Sequence, residues 1–104
     1  MNITPNNAID INGTWLQGYI DASYAELVET FGKPNSEGDS YKVDAEWILT
    51  GPNGEVITIY NYKDGINYCG TDGAHVENIR NWHIGGFNKN VVDLVSAALK
   101  NVED

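Results

Sequence analysis

The sequence predicts an α+β fold, a two-layer sandwich in which two helices cover one face of about four mostly antiparallel strands. Three observations predict it: two amphipathic helix patterns, a long run that alternates apolar and polar residues, and a short Gly-Pro-Asn-Gly turn between two β-rich segments. Strands joined by so short a turn pair antiparallel. The expected order is β-α-β-β-β-α, in one domain over residues 14–104 that follows a flexible arm over residues 1–13.

The first strand is expected at residues 14–21, which are rich in aromatic and β-branched side chains. Strict alternation along it places Leu16 and Tyr19 on opposite faces of the sheet. A helix is expected over residues 23–31, because Ser23 and a glutamate three residues later match a capping box. One apolar stripe runs along this helix at helical spacing: Tyr24, Leu27, Val28 and Phe31.

The next two strands form a hairpin. Residues 41–50 alternate with period two, and residues 56–63 are β-rich, with the turn at residues 51–54 between them. The pattern leaves open which face of the second hairpin strand is buried. Residues 64–80 form a long connection, and connections of this length in compact domains are commonly functional or mobile.

The last strand is expected at residues 81–86, with Trp82 and Ile84 on one face and His83 on the other. A second helix then begins after Asn88 or Asn90. Its apolar stripe is Val91, Leu94, Val95, Ala98 and Leu99. The periodic positions of four aromatic residues predict that they anchor the core: Trp15, Tyr24, Trp47 and Trp82.

The charge balance restricts the class of partner. Fifteen acidic residues against six basic ones give a net charge of −9. Direct binding to nucleic acid is not expected, because that affinity comes from Lys and Arg that neutralise phosphates, and an anionic membrane is disfavoured for the same reason. An acidic surface keeps a protein in solution, and it also fits a partner protein with a basic or nucleic-acid-binding site.

Catalysis, a cofactor and a metal are not predicted. Cys69, His75 and His83 are the soft or imidazole ligands of the chain, and they lack both the spacing of a zinc site and a group that would orient a Cys–His pair. We therefore expect a protein that is not an enzyme. One cysteine, no apolar run of membrane-spanning length and no signal peptide indicate the cytoplasm.

The residue types left for recognition are aromatic and acidic. Two helices cover one face of a sheet, so the other face is open to solvent or to a partner, and tyrosine is enriched at protein interfaces. The chain holds six tyrosines, more than one small core needs. The predicted binding surface is Asp44, Glu46, Tyr60, Tyr62, Tyr68 and His83. An open face or an unpaired edge strand also invites a symmetric dimer.

A second candidate site lies ahead of the second helix. Gly85, Gly86, Asn88 and Lys89 stand where free backbone amides can meet an anion. Aromatic rings that stack a base beside such a site would bind a nucleotide. A small-molecule binder is therefore the alternative to a protein binder, although the net charge argues against it.

Five motifs span most of the domain: LQGYI at 16–20, YxxLVxxFGxP at 24–34, AEW at 45–47, IYxYK at 59–63 and WHIGG at 82–86. Together they resemble a family of small acidic proteins encoded by tailed phages and prophages. The resemblance implies the cytoplasm of an infected bacterium. It also implies that the protein binds and inhibits a host protein, such as a component of CRISPR or another defence system, or else that it is a virion or assembly component.

A second resemblance covers residues 23–63. The helix, the Phe-Gly-x-Pro step and the hairpin are similar to the repeat unit of β-lactamase-inhibitor-like and outer-membrane-assembly lipoprotein domains. Those proteins carry a secretion signal, which this sequence lacks. The similarity therefore implies a shared fold element and no shared activity.

Overall fold

One antiparallel sheet organises the computed structural model, which describes residues 3–36, 42–62 and 64–103. Its strands in chain order are β1 (Thr4–Pro5), β2 (Trp15–Asp21), β3 (Glu46–Thr50), β4 (Val56–Tyr60) and β5 (Asn81–Gly86). Across the sheet they lie in the order β1-β3-β4-β5-β2, and every neighbouring pair is antiparallel.

Two long helices pack on one face of this sheet. They are α1 (Tyr24–Phe31) and α3 (Asn90–Glu103), whose apolar stripes join the inward side chains of the strands in one core. The predicted long connection holds the short helix α2 (Ile66–Cys69) and two 3₁₀ turns, Gly70–Asp72 and Val76–Asn78. The predicted α+β class is thereby confirmed.

The sheet has five strands where about four were predicted. The additional strand is β1, which lies within the segment predicted as an arm. Thr4 pairs with Thr50, and Pro5 pairs with Leu49. Two residues with one proline give no β pattern of their own, and an edge position tolerates proline because one side of the strand needs no donor. This strand exists only because β3 is present to pair with it.

Helix α1 begins and ends where its sequence predicts. The Ser23 hydroxyl accepts from the Glu26 amide at 3.0 Å, and the Glu26 carboxylate accepts from the Ser23 amide at 2.9 Å. At the other end Gly32 adopts a φ of 84° and donates its amide to the Val28 carbonyl at 2.8 Å. These bonds satisfy backbone groups that a helix end leaves without partners.

Two buried indoles fasten α1 to the sheet. Trp82 in β5 donates its Nε1 proton to the carbonyl of Ala22, just before the helix, at 2.9 Å. Trp47 in β3 donates its Nε1 proton to the carbonyl of Gly32, just after the helix, at 2.8 Å. The two rings meet edge to face at 5.4 Å, and Tyr24 packs against both. Both tryptophans and Tyr24 are therefore core anchors, as predicted.

Trp15 does not anchor the core, which corrects the prediction. It stands at the start of the edge strand β2 and is 58% exposed. Its ring contacts Phe87 edge to face at 6.3 Å. Trp15 pairs with Gly86 on the helix side of the sheet, but it lies at the corner of the sheet, beyond the core that α1 and α3 cover.

A β-bulge in β2 changes the predicted alternation. The pairing with β5 shifts between Leu16 and Gly18, and Gln17 instead donates its side-chain amide to the Gly86 carbonyl at 2.9 Å. One extra residue on a strand turns the side chains that follow it to the other face. Leu16 and Tyr19, which were expected on opposite faces, therefore share the face away from the helices.

Strand β3 is shorter than predicted, and Tyr41 at its predicted start lies outside the described residues. The amides of Asp44 and Ala45 donate to the side-chain oxygen of Asn61, at 2.7 and 3.1 Å, instead of to a neighbouring strand. The fully buried side chain of Asn61 thus takes the place of a neighbouring strand in the backbone hydrogen bonding. Strand β3 therefore begins at Glu46.

Strand β4 ends at Tyr60, and Lys63 at its predicted end lies outside the described residues. The face that the sequence left open is now assigned. Ile57 and Ile59 are fully buried on the helix side, so Thr58 and Tyr60 face the opposite side.

We expect Trp82→Phe to lower the free energy of unfolding by about 2–4 kcal/mol, because it leaves the buried Ala22 carbonyl without a donor and opens a small cavity. Trp15→Phe is the matched control and should change it by less than about 0.5 kcal/mol, since Trp15 is exposed. Urea unfolding followed by circular dichroism measures both. Equal losses in the two variants would contradict the role given to the Trp82 indole.

Candidate binding surface

A row of side chains crosses the sheet on the face that the helices leave uncovered. Residues that pair across neighbouring strands point to the same face. Glu46 pairs with Tyr60, Tyr60 with His83, and His83 with Tyr19. The row therefore runs from β3 to the edge strand β2.

Five residues of this face enclose a hollow of about 480 Å³. We call them the open-face cluster: Leu16, Tyr19, Tyr60, Tyr62 and His83. The imidazole of His83 is at its centre, with ring centroids 4.9 Å from Tyr19, 5.3 Å from Tyr60 and 6.0 Å from Tyr62. The Tyr60 ring is stacked on the imidazole, whereas the other two tyrosine rings stand steeply to it.

Burial lowers the pKa of His83 below its ordinary value of 6.5. The charge of Asp64 and a hydrogen bond with the backbone of Tyr60 act in the opposite direction, with smaller effect. Its Nδ1 atom is buried and has no hydrogen-bond partner within the described residues. At neutral pH the imidazole is therefore uncharged and contributes to the hollow as an aromatic ring.

Glu46 is not the exposed recognition residue that the alternation predicted. It is 8% exposed, and its carboxylate accepts from the Ser36 hydroxyl at 2.8 Å. Burial raises the pKa of this carboxyl, and the Ser36 hydrogen bond partly opposes the rise. The backbone of Asn35 and Ser36 bonds to the Glu46 carbonyl, so this segment covers a strand face that the sequence showed as polar and open.

Asp44 is linked through Asn61 to a different carboxylate, that of Asp64. Asn61 donates its side-chain amide to Asp44 at 3.1 Å and to Asp64 at 3.0 Å. Any side chain at Gly65 would collide with the Asp44 carboxylate, so a larger residue there would displace it. The carboxylates of Asp44 and Asp64 therefore both lie beside Asn61, the residue that precedes Tyr62.

The predicted binding surface is thus assembled in part. Tyr60, Tyr62 and His83 meet in the open-face cluster, and Tyr68 lies in α2 outside its lining. Sequence reasoning left Leu16 and Tyr19 out of the site. The surplus of tyrosines was a signal for Tyr19, but the bulge that brings it together with Leu16 has no local signature.

The structure does not bring the candidate anion site together. Gly85 and Gly86 lie inside β5 and pair with β4 on one side and β2 on the other. Asn88 and Lys89 are exposed in the turn before α3. Asn88 lines a separate hollow of about 330 Å³ together with Glu55, whose carboxylate would repel an anion.

Within residues 3–36, 42–62 and 64–103, no three His, Cys, Asp or Glu side chains converge as a metal ion would require. Cys69 and His75 are exposed and lie in the connection before β5, apart from His83. No helix in this part of the chain has the length and apolar character needed to cross a membrane.

No protein-family model, curated protein or solved structure matches this chain. What the molecule binds is therefore inferred from the geometry of the open-face cluster and from the charges beside it.

The pH dependence of stability should report the buried imidazole. With a folded pKa below 6.5, His83 stays neutral where the unfolded chain takes up a proton, so the free energy of unfolding falls as the pH falls through this range. His83→Phe keeps an aromatic ring and lacks this loss. Urea unfolding of both proteins from pH 7.5 to 5 should show the variant gaining relative to the original chain at low pH. A constant difference between them would contradict the expected shift.

Glu46→Gln should be more stable than the original chain at pH 7. Because the folded pKa is raised above 4.5, ionisation costs the folded state more than the unfolded one as the pH rises. Glutamine still accepts from Ser36 and carries no charge. The advantage should close as the pH falls to 4.5 and below, where the carboxyl is protonated in both states. Glu46→Ala serves as the control. It should be less stable than the original chain at both ends of the pH range, because alanine cannot accept the hydrogen bond from the Ser36 hydroxyl.

Proposed function

We propose that this protein is a small acidic binding protein, without catalytic activity, that docks its open-face cluster on a basic site of a partner protein. The observation that carries the proposal is the aromatic hollow on the one sheet face that the helices do not cover. At protein interfaces a few well-packed residues, enriched in tyrosine, tryptophan and arginine, supply most of the binding energy.

The exposure of these residues supports a contact surface. Tyr19 is 54% exposed, and Leu16 and Tyr62 are each 41% exposed. Leu16 and Tyr19 form an exposed apolar strip along β2 on this face. Contiguous exposed apolar patches on a small protein mark sites of interaction, and tyrosine buries a large area at low entropic cost.

The charges beside the cluster favour a basic partner. Asp64 acts on His83, and Glu46 acts on Tyr60, so both carboxyls lie within electrostatic reach of the hollow. Of the described residues that line the hollow, none is Lys or Arg. With a net charge of −9, attraction to a basic surface speeds the encounter. The same charge disfavours a symmetric dimer through this face.

The resemblance to phage and prophage proteins supports a host protein as the partner. In this setting the protein occupies a basic or nucleic-acid-binding site of a host factor in the cytoplasm of the infected bacterium and blocks it. A defence component such as a CRISPR effector fits this description, because its nucleic-acid channel is basic. The mechanism is steric and electrostatic and needs no reacting group.

A nucleotide binder is the second candidate, favoured by the stacked Tyr60 and His83 rings. The carboxyls beside the hollow and the separation of Gly85 and Gly86 from Lys89 weigh against it. A ligand that binds only the folded state raises the melting temperature. A rise with cyclic nucleotides would support this candidate, and recovery of the protein from purified phage particles would support the role of a virion component.

Parallel affinity capture from bacterial lysate tests the proposed docking face. The baits are the original chain, Tyr19→Ser/Tyr62→Ser on the open face, and Glu29→Gln/Asp93→Asn on the helical side. We expect the original chain and the helical variant to retain the same stoichiometric protein. The open-face variant should recover at least about tenfold less of that protein. Circular dichroism verifies that all three baits are folded. Equal recovery by the three baits, or recovery by none, would overturn the proposal.

A further inference from the structure

The open-face cluster has the arrangement of a partial aromatic cage. Tyr60 lies at 25° to the His83 ring, whereas Tyr19 and Tyr62 stand at 65° and 61° to it. Rings with such different inclinations border one hollow, so a group placed there meets more than one ring. A cation within about 6 Å of ring faces is attracted by their quadrupoles, and cages of this kind hold cationic groups.

Among the residues that the structure describes, none that lines the hollow supplies a positive charge. The lining consists of three tyrosines, one leucine and an uncharged imidazole. Asp64 lies close enough to act on the imidazole, and Asn61 holds it beside Asp44. The hollow is therefore an uncharged aromatic pocket with two carboxylates near its border, which complements a cation and opposes an anion.

The shape and chemistry of the pocket favour guanidinium over ammonium. A guanidinium group is planar, stacks on aromatic faces and is weakly hydrated, whereas the lysine ammonium is compact and strongly hydrated. Leu16 adds an aliphatic wall for the methylene stem of an arginine side chain. A guanidinium also donates N–H groups in a fork that matches a carboxylate such as Asp64.

We infer that the open-face cluster receives an arginine side chain of the partner protein, held between the tyrosine rings and drawn by the charge of Asp64. The inference rests on the proposed function and names the group that the docking face recognises. Within a basic site, one arginine inserted into this hollow is the anchor, and the exposed strip along β2 contacts the surface around it.

Three short peptides test the inference on the full chain: acetyl-Gly-Arg-Gly-amide, its lysine counterpart and its citrulline counterpart. Citrulline matches arginine in shape and lacks the charge. In an NMR titration at millimolar peptide we expect the arginine peptide to shift the resonances of Tyr19, Tyr62 and His83. The citrulline peptide should bind at least about fivefold more weakly, and the lysine peptide should fall between them.

Substitutions distinguish attraction of the guanidinium by the aromatic rings from simple apolar contact. Tyr19→Leu should weaken the arginine peptide about three- to fivefold, whereas Tyr19→Phe keeps the ring and should stay within about twofold. Trp15→Leu removes an exposed aromatic residue outside the hollow and should have no effect. Tyr62→Leu repeats the test on a second exposed ring, so the result does not depend on the folding of one variant.

Equal binding of the citrulline and arginine peptides, or shifts confined to residues outside the cluster, would overturn the arginine assignment. So would equal affinities for Tyr19→Leu and Tyr19→Phe. The parallel capture distinguishes this failure from that of the docking face. If Tyr19→Ser/Tyr62→Ser loses the partner but the arginine peptide does not bind, the docking face remains supported. Arginine is then not the group that it recognises.

Discussion

Two indole hydrogen bonds hold the layers of this domain together. Trp47 in β3 and Trp82 in β5 lie on either side of β4, and each reaches a carbonyl at one end of α1. The bonds satisfy the polar atom of each buried ring, which would otherwise cost about 1–3 kcal/mol. They also fix the helix at both ends over one face of the sheet. The placement of α3 beside α1, and hence the whole core, follows from that choice of face.

The opposite face of the sheet is left without a helix. A domain of this size has two long helices to cover its sheet, and both are committed to one side. The cross-strand row of Tyr19, Tyr60 and His83 is therefore left without a covering layer. Burial among these rings keeps His83 uncharged, so the centre of the face is aromatic while its border is acidic. An uncharged aromatic centre beside carboxylates is a combination that recognises a cationic group.

Asn61 connects the scaffold with this border. Its side-chain oxygen ends the strand β3 by accepting from two backbone amides, and its nitrogen binds two carboxylates. One buried amide thus determines where the strand begins and where the charge beside the hollow is held. The sheet and the proposed recognition surface are coupled at this residue, because a change there would disturb both the sheet and the acidic border.

Local interactions explain what could be predicted. The capping box, the apolar stripe of α1 and the turn between β3 and β4 involve residues within a few positions of one another. The two long helices, the hairpin and the α+β class could therefore be predicted without knowledge of the fold. Alternation likewise placed His83 opposite Trp82. Tertiary structure decided the rest, since the bulge that joins Leu16 to Tyr19, the cover of Ser36 over Glu46 and the pairing of β1 all depend on residues distant in the chain. The tyrosines of the proposed binding face could therefore be identified from the sequence, whereas their arrangement depends on the sheet.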